Sequence, residues 1–149
     1  MTAPIAPTAE RIVTAAMELF GEKGYGSTSV ADILAAANAN SGSLYHAFPT
    51  KQDVLIAVLR RYLDGIWPML LAPAWEGVAD PIDRIFALLA RYRELLKISD
   101  CTFGCPIGSL ALEIHEPDPP VRALLAANFE AWVAAVRICL DAAANRLPP

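Results

Sequence analysis

The stretch TSVADILAAANANSGSLYHAFPTK, Thr28 to Lys51, decides the fold. Ser29 and Asp32 stand at the S-x-x-D spacing of a capping box ahead of Ile33, Leu34 and Ala37, which predicts a helix of about two turns starting at Ser29. Asn38 follows, and asparagine tolerates positive φ better than other non-glycine residues, so the chain can reverse there. Asn40 or Ser41 then caps a further short helix, Asn40 to Ala47, with Leu44 and Phe48 as an i, i+4 pair facing inward. Two helices joined by a tight turn describe a helix-turn-helix, whose second member sets its N-terminal part in the DNA major groove. Asn40, Ser41, Ser43, Tyr45 and His46 are left outward, short donors and acceptors suited to base edges and phosphates. Gly42 lets that helix approach a partner backbone closely, at roughly 1 kcal/mol of helix stability relative to alanine.

Working outward, apolar residues recur at spacings of three and four along the whole chain, and no segment alternates with period two, so the fold class is all-α. Ile12, Ala16, Leu19 and Phe20 form a first helix, with Thr8 as its N-cap and Gly24 able to end it in the left-handed conformation. Thr50 and Asp53 make a second capping box, opening a helix with Val54, Leu55, Val58, Leu59 and Tyr62 on one side. That helix is expected to fade at Gly65 to Pro68, and Pro68 to Asp80, with Pro73 and Gly77, reads as a connector between lobes. Asp80-Pro81 caps a helix to about Ile98, Pro106 opens one through Leu110 and Ile114, and Asp118-Pro119-Pro120 starts a long last helix carrying Val121, Leu125, Asn128, Trp132, Ala135 and Cys139.

Composition narrows the function classes. Among 149 residues, 55% are hydrophobic and the formal net charge is −4, which excludes an acidic disordered tail and a basic nucleic-acid sponge. Apolar segments are interrupted by charge, Pro or Gly before the roughly 18 residues of a membrane span, so no membrane association is expected. Met1 to Thr8 has neither a basic nor an apolar leader region, and a cytoplasmic location is the expectation. Three cysteines, Cys101, Cys105 and Cys139, argue for reduced thiols. No nucleophile elbow, Walker loop, GxGxxG or H-E-x-x-H is present, so no enzyme and no cofactor are expected.

The Thr28–Lys51 run, preceded by a helix with Ala16, Leu19, Phe20, Gly24 and Tyr25, resembles the DNA-binding domain of TetR/AcrR-type transcriptional regulators over about residues 8 to 62. The G-S-L-Y-x-x-F-x-x-K pattern at Gly42 to Lys51 carries the resemblance. Gly104-Cys-Pro-Ile-Gly-Ser-Leu-Ala-Leu-Glu113 is similar to a segment found in several branches of that family. The resemblance implies an N-terminal three-helix helix-turn-helix domain, residues 1–50, and a shortened helical effector-binding and dimerisation domain, residues 51–149. It implies a homodimeric repressor on operator DNA, released by a small-molecule effector. The alternative is a truncated relative that binds a ligand or sequesters a partner without binding DNA. Carried over by position, Ser29 meets a phosphate, Tyr45 and His46 touch the DNA backbone, Lys51 supplies a cation, and Asn40, Ser41 and Gly42 form the base-facing edge. Asn38 and Ala39 stand where Gly and a larger aliphatic are usual in the family, Ser41 where Lys or Arg is frequent, and Ala47 where an aromatic is common.

Charge sets a limit on that reading. Residues 1 to 65 hold Arg11, Lys23, Lys51, Arg60 and Arg61 against Glu10, Glu18, Glu22, Asp32, Asp53 and Asp64, so 5 − 6 = −1. Counterion release by bound Lys and Arg supplies most non-specific DNA affinity, so binding here depends on geometry and dimerisation. For the second lobe, Phe86, Tyr92, Phe103, Phe129 and Trp132 are candidates to line a pocket for an apolar or aromatic effector, with His115 and Asn128 as polar fixing groups. Aromatics at helical spacing serve equally as plain core. Cys101 and Cys105 form C-x3-C with no second pair, short of a four-ligand zinc site, so no metal is expected. A redox or electrophile sensor on these two thiols is the other reading of that pair.

Overall fold

A computed structural model describes residues 7–102 and 104–146. Among them every regular element is a helix, in the order α1 (Pro7–Lys23), α2 (Val30–Ala37), α3 (Ser41–Ala47), α4 (Lys51–Gly65), a π-helical segment (Ile66–Leu71), α5 (Ala72–Trp75), α6 (Pro81–Ile98), α7 (Pro106–Glu113), α8 (Pro119–Ala142) and a closing 3₁₀ turn (Ala144–Arg146). Local chemistry sets most of these boundaries. Ser29 and Thr50 each complete a reciprocal capping box, with Asp32 and Asp53 respectively. Asp80 accepts from the amides of Ile82 and Asp83, and Pro81, Pro106 and Pro119 occupy first helical positions, where the missing N–H costs nothing.

Two expectations are corrected. Thr8 is not an N-cap: α1 begins at Pro7, whose fixed φ suits a first helical turn, and Thr8 lies inside it. Pro68 to Asp80 is not a connector throughout. The helix runs on from Gly65 through the π segment and α5 to Trp75, leaving a link only from Glu76 to Asp80, with Gly77 at φ +73°. The wider turn is what accommodates Pro68, because an i to i+5 pattern, as in Ala72 N–H to the Trp67 carbonyl, opens the ladder where a proline ring would otherwise meet the carbonyl four residues back.

Two apolar clusters hold the molecule. The larger joins Ile12, Ala16 and Phe20 of α1, Ile33 of α2, Leu44 of α3 and Val54, Leu55, Val58 and Leu59 of α4 with Ile107 and Leu110 of α7 and Val121 and Leu125 of α8. The smaller gathers Ile66 and Leu71 with Leu88 of α6 and Ala135 of α8. Helix α4 therefore packs on α1 at one side and on α8 at the other, and an Arg61–Glu10 ion pair fastens it to α1.

By length and composition alone α8 is long and apolar enough to cross a membrane. Its packing explains one side of that apolarity. Asn128, fully buried, donates to the carbonyls of Leu59 at 3.1 Å and Leu124 at 2.9 Å, pinning α8 to α4. The other side leaves Phe129, Val133, Ile138 and Leu140 exposed.

Candidate nucleic-acid interface

Helix α3 is short, and the structure fixes its orientation from both ends. Its Leu44 is fully buried in the main cluster and Phe48 packs against it, which turns Ser41, Gly42, Tyr45 and His46 outward. The Tyr45 side chain is 52% exposed. Ahead of it, Asn38 adopts φ +46°, and its amide and that of Ala39 return to the carbonyls of Ala35 and Leu34, closing the turn between α2 and α3. Ser29 is exposed at the start of α2, and its hydroxyl accepts from the Asp32 amide at 3.1 Å.

Two of the expected contacts are engaged inside the protein. Asn40 caps α3 through its Oδ1, which accepts from the Ser43 amide at 2.8 Å. Lys51 donates to the Tyr25 carbonyl at 2.5 Å and lies 4.1 Å above the Tyr25 ring, where burial pulls its pKa below the ordinary lysine value. Lys23 pairs with Asp32 at 2.9 Å and Arg61 with Glu10. The cations of this lobe are thus largely committed to holding it together.

Sequence reasoning missed two positioning residues. Arg11 of α1 reaches across 26 residues to donate its Nε to the Ala37 carbonyl at 3.1 Å, and a further nitrogen points to the Asn38 carbonyl at 3.4 Å. It thereby holds the C-terminus of α2, where a cation also meets the negative end of the helix dipole. Glu113, the last residue of α7, accepts from the amides of Tyr25 at 2.8 Å and Gly26 at 2.6 Å. Neither residue carries a local signal, because each partner lies far away in sequence.

The residues proposed for an effector pocket are not gathered at one cavity. Tyr92 and Trp132 do pack together, ring centroids 5.3 Å apart, and burial pushes the Tyr92 phenol up to about 12. Phe86 is 65% exposed and Phe129 43%, His115 is on the surface, Asn128 is a buried interhelical tie, and Phe103 lies outside the described residues. Two clefts are found elsewhere. One of about 430 Å³ runs between α1, α4 and α7, walled by Met17, Phe20, Tyr62, Pro106, Ser109 and Leu110. Another of about 690 Å³ lies along the π segment, with Trp67, Trp75, Arg84 and Ile138 on its walls. Cys101 and Cys105 are exposed free thiols and Cys139 is buried.

A turn-linked helix pair with a polar outward face, seated on a longer helical body, defines the helix-turn-helix class. Comparison with known proteins gives the family. Residues 12–58 match the bacterial regulatory proteins of the tetR family, and residues 81–147 match the tetracyclin repressor-like C-terminal domain. The chain belongs to the TetR family of regulatory proteins. It is 33% identical over 128 residues to the uncharacterized HTH-type transcriptional regulator Rv0196 of Mycobacterium tuberculosis, covering 83% of this chain and 64% of that protein. It is 28% identical over 134 residues to the HTH-type transcriptional repressor DhaR of Mycobacterium sp. (strain GP1), covering 90% of this chain and 66% of that one. The chain thus spans slightly under two thirds of each of these relatives. The crystal structure of the regulatory protein TetR from Rhodobacter sphaeroides superposes with a TM-score of 0.82 at 28% identity, covering 93% of this chain and 73% of that one.

Proposed function

We propose that this chain is a DNA-binding transcriptional regulator, a repressor that grips a pseudo-palindromic operator as a homodimer and is released by a small-molecule effector. The observation that carries this reading is α3: its apolar side, Leu44, is fully buried while Ser41, Tyr45 and His46 stand in solvent at the end of a sharp left-handed turn. Ser29, the Asn40 amide, Ser41, Gly42, Tyr45, His46 and Lys51 form the contact set, with residues 1–50 as the recognition unit and 51–149 as the unit that senses and associates. Two recognition helices bind half-sites about one turn of DNA apart, ~34–36 Å. The exposed apolar residues of α6 and α8, Phe86, Leu89, Val133 and Ile138, support self-association. An apolar or aromatic effector fits the Met17, Phe20, Tyr62 and Leu110 walls of the 430 Å³ cleft, and its binding would swing α4 and spoil the half-site spacing. The protein works in the cytoplasm, with the chromosome.

Footprinting on genomic fragments selected by the chain tests this directly. We expect protection of paired half-sites and a loss of affinity with salt that is shallow, because Lys23, Arg61 and Arg11 are already engaged. A chain that protects no site overturns the reading.

A further inference from the structure

The contact between α7 and the turn after α1 is built as a clamp. The Glu113 carboxylate accepts two successive backbone amides, Tyr25 at 2.8 Å and Gly26 at 2.6 Å, from a segment 87 to 88 residues earlier in the chain. Successive amides converging on one anion form a nest, and bonds to a carboxylate are stronger than neutral ones. The turn is shaped for this guest. Gly24 sits at φ +86°, and a Cβ placed on Gly24 or Gly26 would come within 3.0 Å of a Glu113 oxygen.

On its other side Tyr25 meets Lys51, one of the candidate DNA contacts. The Tyr25 carbonyl takes the Lys51 ammonium, which also rests on the Tyr25 ring, and that ring stands edge-on to Phe20 at 5.2 Å. Lys51 opens α4 directly after its Thr50 cap. One residue, Tyr25, therefore joins the end of α7 in the second lobe to the first turn of α4. Helix α7 also supplies Pro106, Ser109 and Leu110 to the 430 Å³ cleft, so anything that moves it from that side reaches the clamp within one helical turn.

We propose that Glu113 is a positioning residue for DNA binding, holding the Tyr25–Gly26 turn and, through Tyr25, Lys51 in the arrangement that fits DNA, so that displacing α7 from α1 lowers operator affinity. The inference rests on the DNA-binding reading. Its direction opposes bulk electrostatics, which makes it separable from a simple charge effect: removing an acidic residue should by itself raise affinity for a polyanion.

The test uses the full chain and a labelled duplex that the unaltered chain selects from genomic fragments, with affinity read by anisotropy and backbone exchange by NMR. Glu113→Gln, close to isosteric, replaces one acceptor with a donor. It should weaken binding about tenfold, the equivalent of one charge-assisted bond, and speed exchange at Tyr25 and Gly26 while other α1 and α4 amides stay protected. Glu113→Asp should fall between the parent and Glu113→Gln, and Glu116→Gln, the same charge change on a neighbouring acid outside the clamp, should leave both readouts unchanged or bind slightly tighter. Faster exchange with unchanged affinity overturns the coupling, and unchanged exchange overturns the clamp. Weakening by Glu116→Gln as well overturns the assignment to Glu113. An unaltered chain that binds no duplex removes the DNA-binding reading itself and the proposal with it, an outcome distinct from the others because the exchange data still report on the clamp.

Discussion

Replacing Asn128 by aspartate tests the packing of the two lobes more sharply than any truncation. Asn128 is fully buried, and its Nδ2 donates to the carbonyls of Leu59 and Leu124. An aspartate carboxylate has nothing to donate and would face two carbonyl oxygens out of water, so its pKa in the folded chain must rise, by as much as about 3–5 units for full burial. The sign follows. A carboxyl whose folded pKa is raised has no ionisation penalty below its unfolded pKa of about 4, and loses about 1.4 kcal/mol of stability per pH unit above it until the folded pKa is reached. Between about pH 4 and pH 7 the variant should lose about 4 kcal/mol relative to the unaltered chain, a large share of the 5–15 kcal/mol typical of a domain. At about pH 4 the protonated acid can still serve one carbonyl, so the deficit there should be only about 1 kcal/mol. Urea unfolding followed by circular dichroism at both pH values measures the gap. A gap that stays constant with pH would show that Asn128 is not locked between these carbonyls. Asn128→Leu should lie within about 1 kcal/mol of the parent, because the Asn128 Oδ1 has no partner among the described residues and both carbonyls lie inside helices.

Asn40→Ala should cost about 1 kcal/mol through loss of the α3 cap and weaken binding to every site, whereas Asn40→Ser keeps a capping oxygen and should change only the preference among selected sequences. Melting curves and a repeat of the fragment selection separate the two; matching selection profiles for Asn40→Ser and the parent would remove Asn40 from the base-facing edge. Lys51→Ala should weaken binding to all duplexes alike and also lower the melting temperature, since the ammonium serves the Tyr25 carbonyl as well as a phosphate. The Asp32 carboxyl is held well below the usual carboxylate range by Lys23 and by the Ser29 amide and hydroxyl. Its folded pKa is depressed, so its stabilisation exists above the unfolded pKa and fades as pH falls. The melting difference between Asp32→Asn and the parent should close in acid.

Where the partner of a side chain lies within three residues, sequence reads most contacts: Ser29 with Asp32, Thr50 with Asp53 and Asp80 ahead of Pro81 are formed, and of Asn40 and Ser41 it is Asn40 that caps α3, whereas the Cys105 cap on the Gly108 amide carries no such signature. Asn38 was legible for the same reason, because its conformation is intrinsic to the residue. Long-range partners carry no such spacing. Glu113 reads as an ordinary helix-end acid until α7 is packed beside α1, and Asn128 reads as a pocket residue until α4 is laid against α8. Pro68 misled because the clash that ends an α-helix is relieved by a single wider turn, and nothing in the neighbouring residues announces that escape. The effector set scattered because period-of-four spacing assigns residues to a face without saying what the face meets; Phe86 and Tyr92 share α6, yet Phe86 is largely exposed and Tyr92 meets Trp132.

The π segment from Ile66 to Leu71 also sets an angular phase. Each residue of a regular helix advances about 100° around its axis, and an i to i+5 turn carries one residue more than the regular ladder needs. Deleting one residue from this stretch would rotate Leu71 and Trp75 by about that angle, swinging them off Leu88 and Ala135 while leaving the cluster around Leu44 untouched. Length variation at this joint would therefore be felt by the smaller hydrophobic centre alone, re-aiming the helix beyond Gly65 against α6 and α8 while the larger centre keeps its packing.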